Sequence, residues 1–107
     1  MKPPGIFELN AVVSVSTHGS FRKAAAELGI SPSALSHAIG TLEQRLGARL
    51  FRRTTRSVSL SEAGEQFLVH VRPALQEIAL AMDAVNQIRD TPKGTLRINT
   101  SERAARM

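Results

Sequence analysis

The chain has 107 residues, of which 14 are Lys or Arg and 9 are Asp or Glu, and it contains no Cys. This length allows one small domain with an accessory element, and the absence of Cys excludes a disulfide framework and a thiolate metal site. No apolar run approaches the roughly 18 residues of a membrane helix, and the N-terminus lacks the apolar core of a signal peptide. We therefore expect a cytoplasmic protein with no membrane partner.

Positive charge is concentrated in the first 60 residues, which carry eight Lys or Arg and three acids, whereas residues 61–90 carry two and five. Within the first part, the run RLGARLFRRTTR contains five arginines, at positions 45, 49, 52, 53 and 56. Five arginines within twelve residues indicate a surface that binds a polyanion. A solvated charged loop is the alternative, and the neighbouring elements have to decide between the two.

Two helices are predicted before residue 30. Residues 6–18 carry a helical stripe, although their β-branched content leaves a strand as the competing interpretation. The stripe consists of Leu9, Val12, Val13 and Ser16. Gly19 is expected to end this element, and Ser20 to cap a short helix over FRKAAAEL. The side of that helix expected to be buried consists of Phe21, Ala24, Ala25 and Leu28.

A third helix is predicted to begin after Ser31, a good N-cap, with Pro32 at the first helical position, where its missing N–H costs nothing. Gly47 is expected to end this helix. Its apolar positions, at intervals of 4, 3 and 4, are Leu35, Ile39, Leu42 and Leu46. A short helix, a tight turn containing Gly and a longer helix are typical of a helix-turn-helix.

The runs ARLFRR and RSVSLS are short and carry apolar anchors, and TTR lies between them. We predict a two-stranded hairpin, or wing, with Arg and Thr near its tip. Ser61 is then expected to cap a long helix that stops at DTPKG. The predicted fold is therefore mainly α. A winged helix-turn-helix, with a three-helix core and a two-stranded wing, occupies residues 1–60, and a long coiled-coil linker helix follows over residues 61–90.

The long helix carries an apolar seam with spacings of 3, 4, 3, 4 and 3, which is typical of a coiled coil. We predict that the seam forms a homodimer interface, with packing against the first helix as the alternative. Its residues are Leu68, Val71, Leu75, Ile78, Met82 and Val85. Residues 91–107 begin like a strand without a partner, so we expect them to be the poorly ordered start of an effector domain missing from the chain.

The start of the third helix presents a small, uncharged polar face. Recognition helices meet base edges in the major groove with N-terminal residues that offer donors, acceptors or apolar surface. Helical spacing places Ser33, Ser36 and His37 on one face, opposite the apolar positions. Together with Pro32, whose ring could touch a thymine methyl, they are the candidate base-reading residues. Capping alone also accounts for Ser31 and Pro32, so these residue types do not decide the function by themselves.

The wing and two helix starts would supply affinity through DNA phosphates. Arg56 is the candidate for insertion into the minor groove, which A·T-rich sequence narrows. The candidate phosphate ligands are Arg22, Lys23, Ser31, Arg53, Thr54 and Thr55. We expect Arg45 and Arg49 to pair instead with Glu43 or Glu27.

An enzyme is not expected. Ser36 and His37 are adjacent, so on a helix their side chains diverge by about 100°, which is wrong for a nucleophile and its base. His18, His37 and His70 lack the spacing of a metal site, and no glycine-rich phosphate loop is present. The sequence therefore predicts no catalytic residues, no metal and no cofactor.

Residues 19–68 resemble the N-terminal domain of the LysR-type transcriptional regulators. The matching motifs are GSF..AA..L, then S..S.AI..LE..LG..LF.R, and the SEAGE run that opens the long helix. The resemblance covers roughly residues 9–89. It implies a winged helix-turn-helix and a linker helix that pairs two subunits, with tetramers possible for a full-length protein. It also implies an absent effector-binding domain through which a small molecule would act.

The resemblance implies base contacts from Pro32, Ser33, Ser36 and His37, and insertion of Arg56 into the minor groove. Pro32 stands where many members have Gln, and His37 where many have Arg or Lys. We accordingly predict a dimeric, sequence-specific transcriptional regulator that binds double-stranded DNA in the nucleoid. Two alternatives stay open, namely a protein-interaction module that uses the long helix and an architectural DNA binder without base preference.

Overall fold

The computed structural model describes residues 4–90, which form four helices and one two-stranded sheet. The helices are α1 (Ile6–His18), α2 (Phe21–Leu28), α3 (Pro32–Leu46) and α4 (Glu62–Asp90), and the strands are β1 (Phe51–Arg53) and β2 (Val58–Leu60). The strands pair antiparallel, with Phe51 opposite Leu60. The predicted mainly helical, winged helix-turn-helix fold with a long following helix is confirmed. The predicted domain start at residues 91–107 lies outside the described residues.

The first element is a helix, and the competing strand interpretation is wrong. Its buried side differs from the predicted stripe and consists of Ala11, Val12, Ser14 and Val15. Ser14 can be buried because its hydroxyl donates a hydrogen bond to Glu27 of α2 at 2.5 Å. This hydrogen bond, followed by one from His18 at 3.0 Å, lowers the pKa of Glu27. A polar contact between α1 and α2 thus shifts the buried face away from the purely apolar stripe.

The core is formed by one face of each of the first three helices, together with the hairpin and the start of α4. Both alanines of α2, Ala24 and Ala25, are fully buried, as predicted, and their small side chains leave room for close helix packing. The complete buried apolar set is Ala11, Val12, Val15, Ala24, Ala25, Leu35, Ile39, Leu42, Leu50, Phe51 and Leu68. The opposite face of α3 is thereby left at the surface.

The first turn of α4 is fixed to the residues that precede the hairpin. The hydroxyl of Ser61 accepts the N–H of Gly64 at 3.0 Å and donates to the carbonyl of Arg49 at 2.5 Å. At Gly64, a Cβ would overlap the carbonyl oxygen of Leu50 and lie 2.8 Å from Cδ2 of Leu60. The helix therefore approaches the backbone so closely that only glycine fits at this position.

Among the described residues, those from 4 to 77 form one compact unit, and those from 78 to 90 belong to a second. The division between these units falls within α4, and the first half of this helix packs into the core. Leu68 is only 2 % exposed, and Val71 is partly buried against the same cluster. Leu68 is thus a core residue, which corrects its assignment to the dimer seam. At Leu68 and Val71 the seam therefore packs within the chain, which was the alternative to a dimer interface.

The second unit, as far as residue 89, presents its apolar side chains at the surface. Met82 and Val85 of the predicted seam are 63 % and 64 % exposed, and Ile88 is also exposed. Across residues 4–90, no helix has the length and apolar character needed to cross a membrane.

Candidate nucleic-acid interface

The turn between α2 and α3 is short and fully accounted for by capping. Gly29, with φ of 74°, ends α2 in the left-handed conformation that glycine tolerates. The hydroxyl of Ser31 accepts the N–H of Ala34 at 3.1 Å and lies 3.3 Å from the hydroxyl of Ser33. Ser31, a predicted phosphate ligand, therefore already serves as the N-cap of α3.

The predicted base-reading residues lie together at the start of α3, on the side opposite the core. Pro32, Ser33 and His37 are exposed and Ser36 is half-buried, whereas Leu35 is fully buried. This face continues into an open groove that the sequence reasoning did not identify. The groove is lined by Ser36, His37, Gly40, Thr41, Gln44 and Arg53, among others.

Arg53, predicted to bind phosphate, has two partners within the protein. Its Nη1 donates to the hydroxyl of Ser36 at 3.3 Å, and its guanidinium carbon lies 4.2 Å from the centre of the Phe21 ring. Phe21 in turn meets Phe51 edge to face, with ring centroids 6.0 Å apart. The structure thus joins a predicted phosphate ligand to a predicted base-reading residue. Sequence reasoning assigned Phe21 only to the core and missed this contact.

The tip of the wing is ordered by Thr54. Its hydroxyl oxygen accepts the N–H of Arg56 at 3.2 Å and that of Ser57 at 3.0 Å. Its own N–H donates to the Ser57 carbonyl at 2.9 Å. Thr55 and Arg56 are exposed, and no hydrogen bond or ion pair joins the Arg56 guanidinium to any residue between 4 and 90. Thr54 therefore shapes the turn, and the charge of Arg56 is not neutralised within the described chain.

Two further predicted phosphate ligands, Arg22 and Lys23, are exposed in the first turn of α2. The hydroxyl of Ser20 accepts the N–H of Lys23 at 3.1 Å, as predicted for an N-cap. Arg22 and Lys23 directly follow Phe21, whose ring packs against the guanidinium of Arg53. The first turn of α2 therefore places two positive charges beside the residue that contacts the wing.

The expected pairing of Arg45 and Arg49 with Glu43 or Glu27 is wrong. Glu43 is 9 % exposed, and its carboxylate accepts the N–H of Leu50 at 2.8 Å and, more weakly, that of Phe51 at 3.4 Å. Glu27 is hydrogen-bonded to residues of α1. Because both acids have other partners, neither of them neutralises the charge of Arg45 or Arg49 by an ion pair. A carboxylate at position 43 among the apolar positions of α3 was the available signal for a buried acceptor.

None of the His, Asp and Glu side chains from residue 4 to residue 89 form a group of three that could hold a metal ion. The described surface near α3 is instead built from hydroxyls, one imidazole and arginines. A short helix, a tight turn, a recognition helix with an exposed polar N-terminal face and an arginine-bearing hairpin define a winged helix-turn-helix domain.

Comparison with known proteins places the chain within this class. Residues 6–65 match the family described as "Bacterial regulatory helix-turn-helix protein, lysR family". The chain is 55 % identical over 94 residues to an uncharacterized HTH-type transcriptional regulator, YcaN, and 45 % identical over 106 residues to the HTH-type transcriptional regulator PgrR, both from Escherichia coli K12. These matches cover 88 % and 99 % of the chain. The chain belongs to the lysR family of bacterial regulatory helix-turn-helix proteins.

The chain spans about a third of the length of these relatives, 31 % of YcaN and 36 % of PgrR. Among solved structures, it is similar to a complex of the BenM DNA-binding domain with benA site 1 DNA, with a TM-score of 0.75 and 29 % identity over 81 % of the chain and 98 % of that domain. It is also similar to Corynebacterium glutamicum OxyR, with a TM-score of 0.79 and 29 % identity over 87 % of the chain and 29 % of that protein.

Proposed function

We propose that this chain is the DNA-binding part of a dimeric, sequence-specific transcriptional regulator. In this proposal the start of α3 lies in the major groove and Arg56 of the wing enters the minor groove. The observation that carries the proposal is the exposed, uncharged polar face of α3 beside a wing whose Arg56 has no charge partner among residues 4–90. Similarity to a DNA complex of the BenM DNA-binding domain supports the same assignment.

The exposed face of α3 is suited to direct contact with base edges. Ser33 and Ser36 offer hydroxyls, His37 offers a ring nitrogen, and the Pro32 ring suits contact with a thymine methyl. None of these side chains is long, so the helix backbone has to approach the base edges closely. Affinity then comes mainly from arginines and lysines on phosphates, while this face and the minor-groove contact supply the sequence preference.

Dimerisation is assigned to the later part of the seam. Leu68 and Val71 pack within the chain, whereas Met82 and Val85 are mostly exposed. Exposed apolar side chains three and four positions apart, beginning at the half-buried Ile78, are the pattern that a second helix covers. A dimer would bring two recognition helices to two half-sites, which raises both affinity and specificity.

The decisive experiment is a selection from a randomised duplex library with the 107-residue chain, followed by binding measurements on the recovered duplex. A regulator is expected to enrich a two-part sequence and to bind it at least a thousandfold more tightly than unrelated duplexes. Binding without enrichment would assign the chain to architectural DNA binding. Absence of binding at low salt would assign it to protein interaction.

Arg56→Ala is expected to weaken binding by about tenfold on a duplex whose flanks are A·T-rich, and by less on one whose flanks are G·C-rich. The reason is that a narrow minor groove concentrates negative potential at an inserted guanidinium. Fluorescence anisotropy on the two duplexes measures the difference. Arg52→Ala is the matched control, because Arg52 is exposed on the neighbouring strand and should affect both duplexes equally. Equal losses for Arg56→Ala would refute insertion into the minor groove.

Ile78→Asp is expected to convert a dimer of the chain into a monomer, because a carboxylate in an apolar helix seam loses its hydration without gaining a partner. Light scattering at a fixed protein concentration measures the mass. Leu80→Asp is the control, since Leu80 is an exposed leucine of the same helix outside the predicted seam. A dimer that persists in Ile78→Asp would show that the seam is not the interface.

A further inference from the structure

Four side chains form a continuous line from the core to the base-reading face. Phe51 of β1 is 2 % exposed and packs edge to face with Phe21 at the start of α2. The guanidinium of Arg53 lies over the Phe21 ring, and its Nη1 reaches the hydroxyl of Ser36 on α3. Phe51 and Arg53 both belong to β1, whereas Phe21 belongs to α2 and Ser36 to α3. Arg53 therefore links the first strand of the wing to both helices of the helix-turn-helix.

The chemistry of this link suits arginine specifically. A guanidinium combines a flat surface that packs on an aromatic ring with several N–H donors held in fixed directions. The cation–π contact contributes about 0.5–1 kcal/mol at an exposed site and leaves the donors in the plane free to reach a hydroxyl. An ammonium group carries the same charge but has no flat surface for the ring and no fixed donor geometry.

The consequence falls on Ser36. A hydroxyl rotates freely unless a donor or an acceptor fixes it. When Arg53 donates to this oxygen, the hydroxyl hydrogen of Ser36 is directed away from the arginine and is available to an acceptor on a base edge. The same bond keeps the oxygen at a set position on α3.

We infer that Arg53 is a positioning residue for base recognition, which orients the Ser36 hydroxyl and holds the wing against α3, and is not primarily a phosphate ligand. The inference rests on the proposed function, because it requires Ser36 to face a base pair. It revises the prediction that Arg53 contributes chiefly to affinity. A phosphate ligand at position 53 could be replaced by lysine without loss of base preference. A positioning role predicts that lysine loses preference, and only at the base pairs that Ser36 contacts.

The test uses the duplex selected by the wild-type chain and a set of its single base-pair variants. Ser36→Ala first identifies the base pairs whose preference depends on Ser36. Arg53→Lys is then measured on the same set, with Arg52→Lys as the matched control on the same strand. We expect Arg53→Lys to lose about tenfold in preference at the Ser36-dependent base pairs, a discrimination that one good base contact typically supplies. Preference elsewhere and the salt dependence of binding are expected to stay close to wild type.

The double variant Ser36→Ala/Arg53→Lys is expected to show no further loss beyond Ser36→Ala, because the two side chains act through one contact. Thermal melting followed by circular dichroism verifies the fold of each variant. If Arg53→Lys is unstable, Arg53→Met, which can pack on Phe21 but cannot donate to Ser36, is expected to show the same loss at the Ser36-dependent base pairs. Full retention of preference in Arg53→Lys would overturn the inference and restore a phosphate role. An additive double variant, or a Ser36→Ala that changes no preference, would overturn it equally. Absence of any preference in the wild-type chain would instead refute the proposed function.

Discussion

Gly64→Ala is expected to lower the free energy of unfolding by about 2–3 kcal/mol, although alanine is the better helix former by roughly 1 kcal/mol. The physical reason is steric. The added methyl group would overlap the carbonyl oxygen of Leu50 and press on Leu60, and a backbone carbonyl next to a paired strand has little freedom to move. Urea unfolding followed by circular dichroism, at one protein concentration, measures the change.

Gly40→Ala is the matched control for this substitution. Gly40 also lies inside a helix, but a Cβ there would have no neighbour within 4 Å. Without a clash, the helix propensity of alanine should raise stability by about 1 kcal/mol, which for a domain of this size corresponds to about 4–8 °C in the melting temperature. Opposite signs for the two glycines are the expected result. A neutral or stabilising effect of Gly64→Ala would contradict the close approach of α4 to Leu50.

Glu43→Ala is expected to cost about 2–4 kcal/mol, because it leaves the backbone N–H groups of Leu50 and Phe51 without the acceptor that now satisfies them. Both residues are almost completely buried, at 1 % and 2 % exposure, so water does not readily replace the carboxylate. The same denaturation experiment gives the magnitude.

Glu43→Gln separates hydrogen bonding from charge. Its amide oxygen still accepts from the Leu50 N–H, so the expected loss is about 1 kcal/mol, less than half of that for alanine. Similar losses for the two variants would mean that the negative charge, and not the acceptor, stabilises this loop. DNA binding should weaken in Glu43→Ala beyond what its unfolded fraction explains, since the loop leads directly into β1 and Arg53.

Local rules of the sequence predicted most of the fold. The caps Ser20, Ser31 and Ser61 each act on residues within three positions, and the apolar spacing of α3 depends only on the period of the helix. The candidate base-reading face follows from the same period. Short-range interactions of this kind are legible in one sequence because both partners are neighbours in it.

The remaining features depend on contacts between distant residues. Leu68 fits the seam by spacing, yet it is buried because α4 packs into the core. Arg53 was placed among the phosphate ligands by its position in an arginine-rich run, but its partners Phe21 and Ser36 come from other elements. The position of Glu43 among the apolar residues of α3 could have indicated a buried acceptor, but its partners are backbone N–H groups, which residue type does not identify. Such pairings follow from the tertiary arrangement and cannot be obtained from local pattern.

The hydroxyl of Ser61 serves two elements at once, since it caps α4 and holds the Arg49 carbonyl. Together with the close approach of Gly64 to the Leu50 carbonyl, these two bonds join the first turn of α4 directly to the residues that precede β1. A change in the position of that turn would therefore require the backbone at Arg49 and Leu50, just before the hairpin, to move as well. If the chain binds DNA as proposed, a rotation of the linker helix would be transmitted to the wing through these contacts of Ser61 and Gly64.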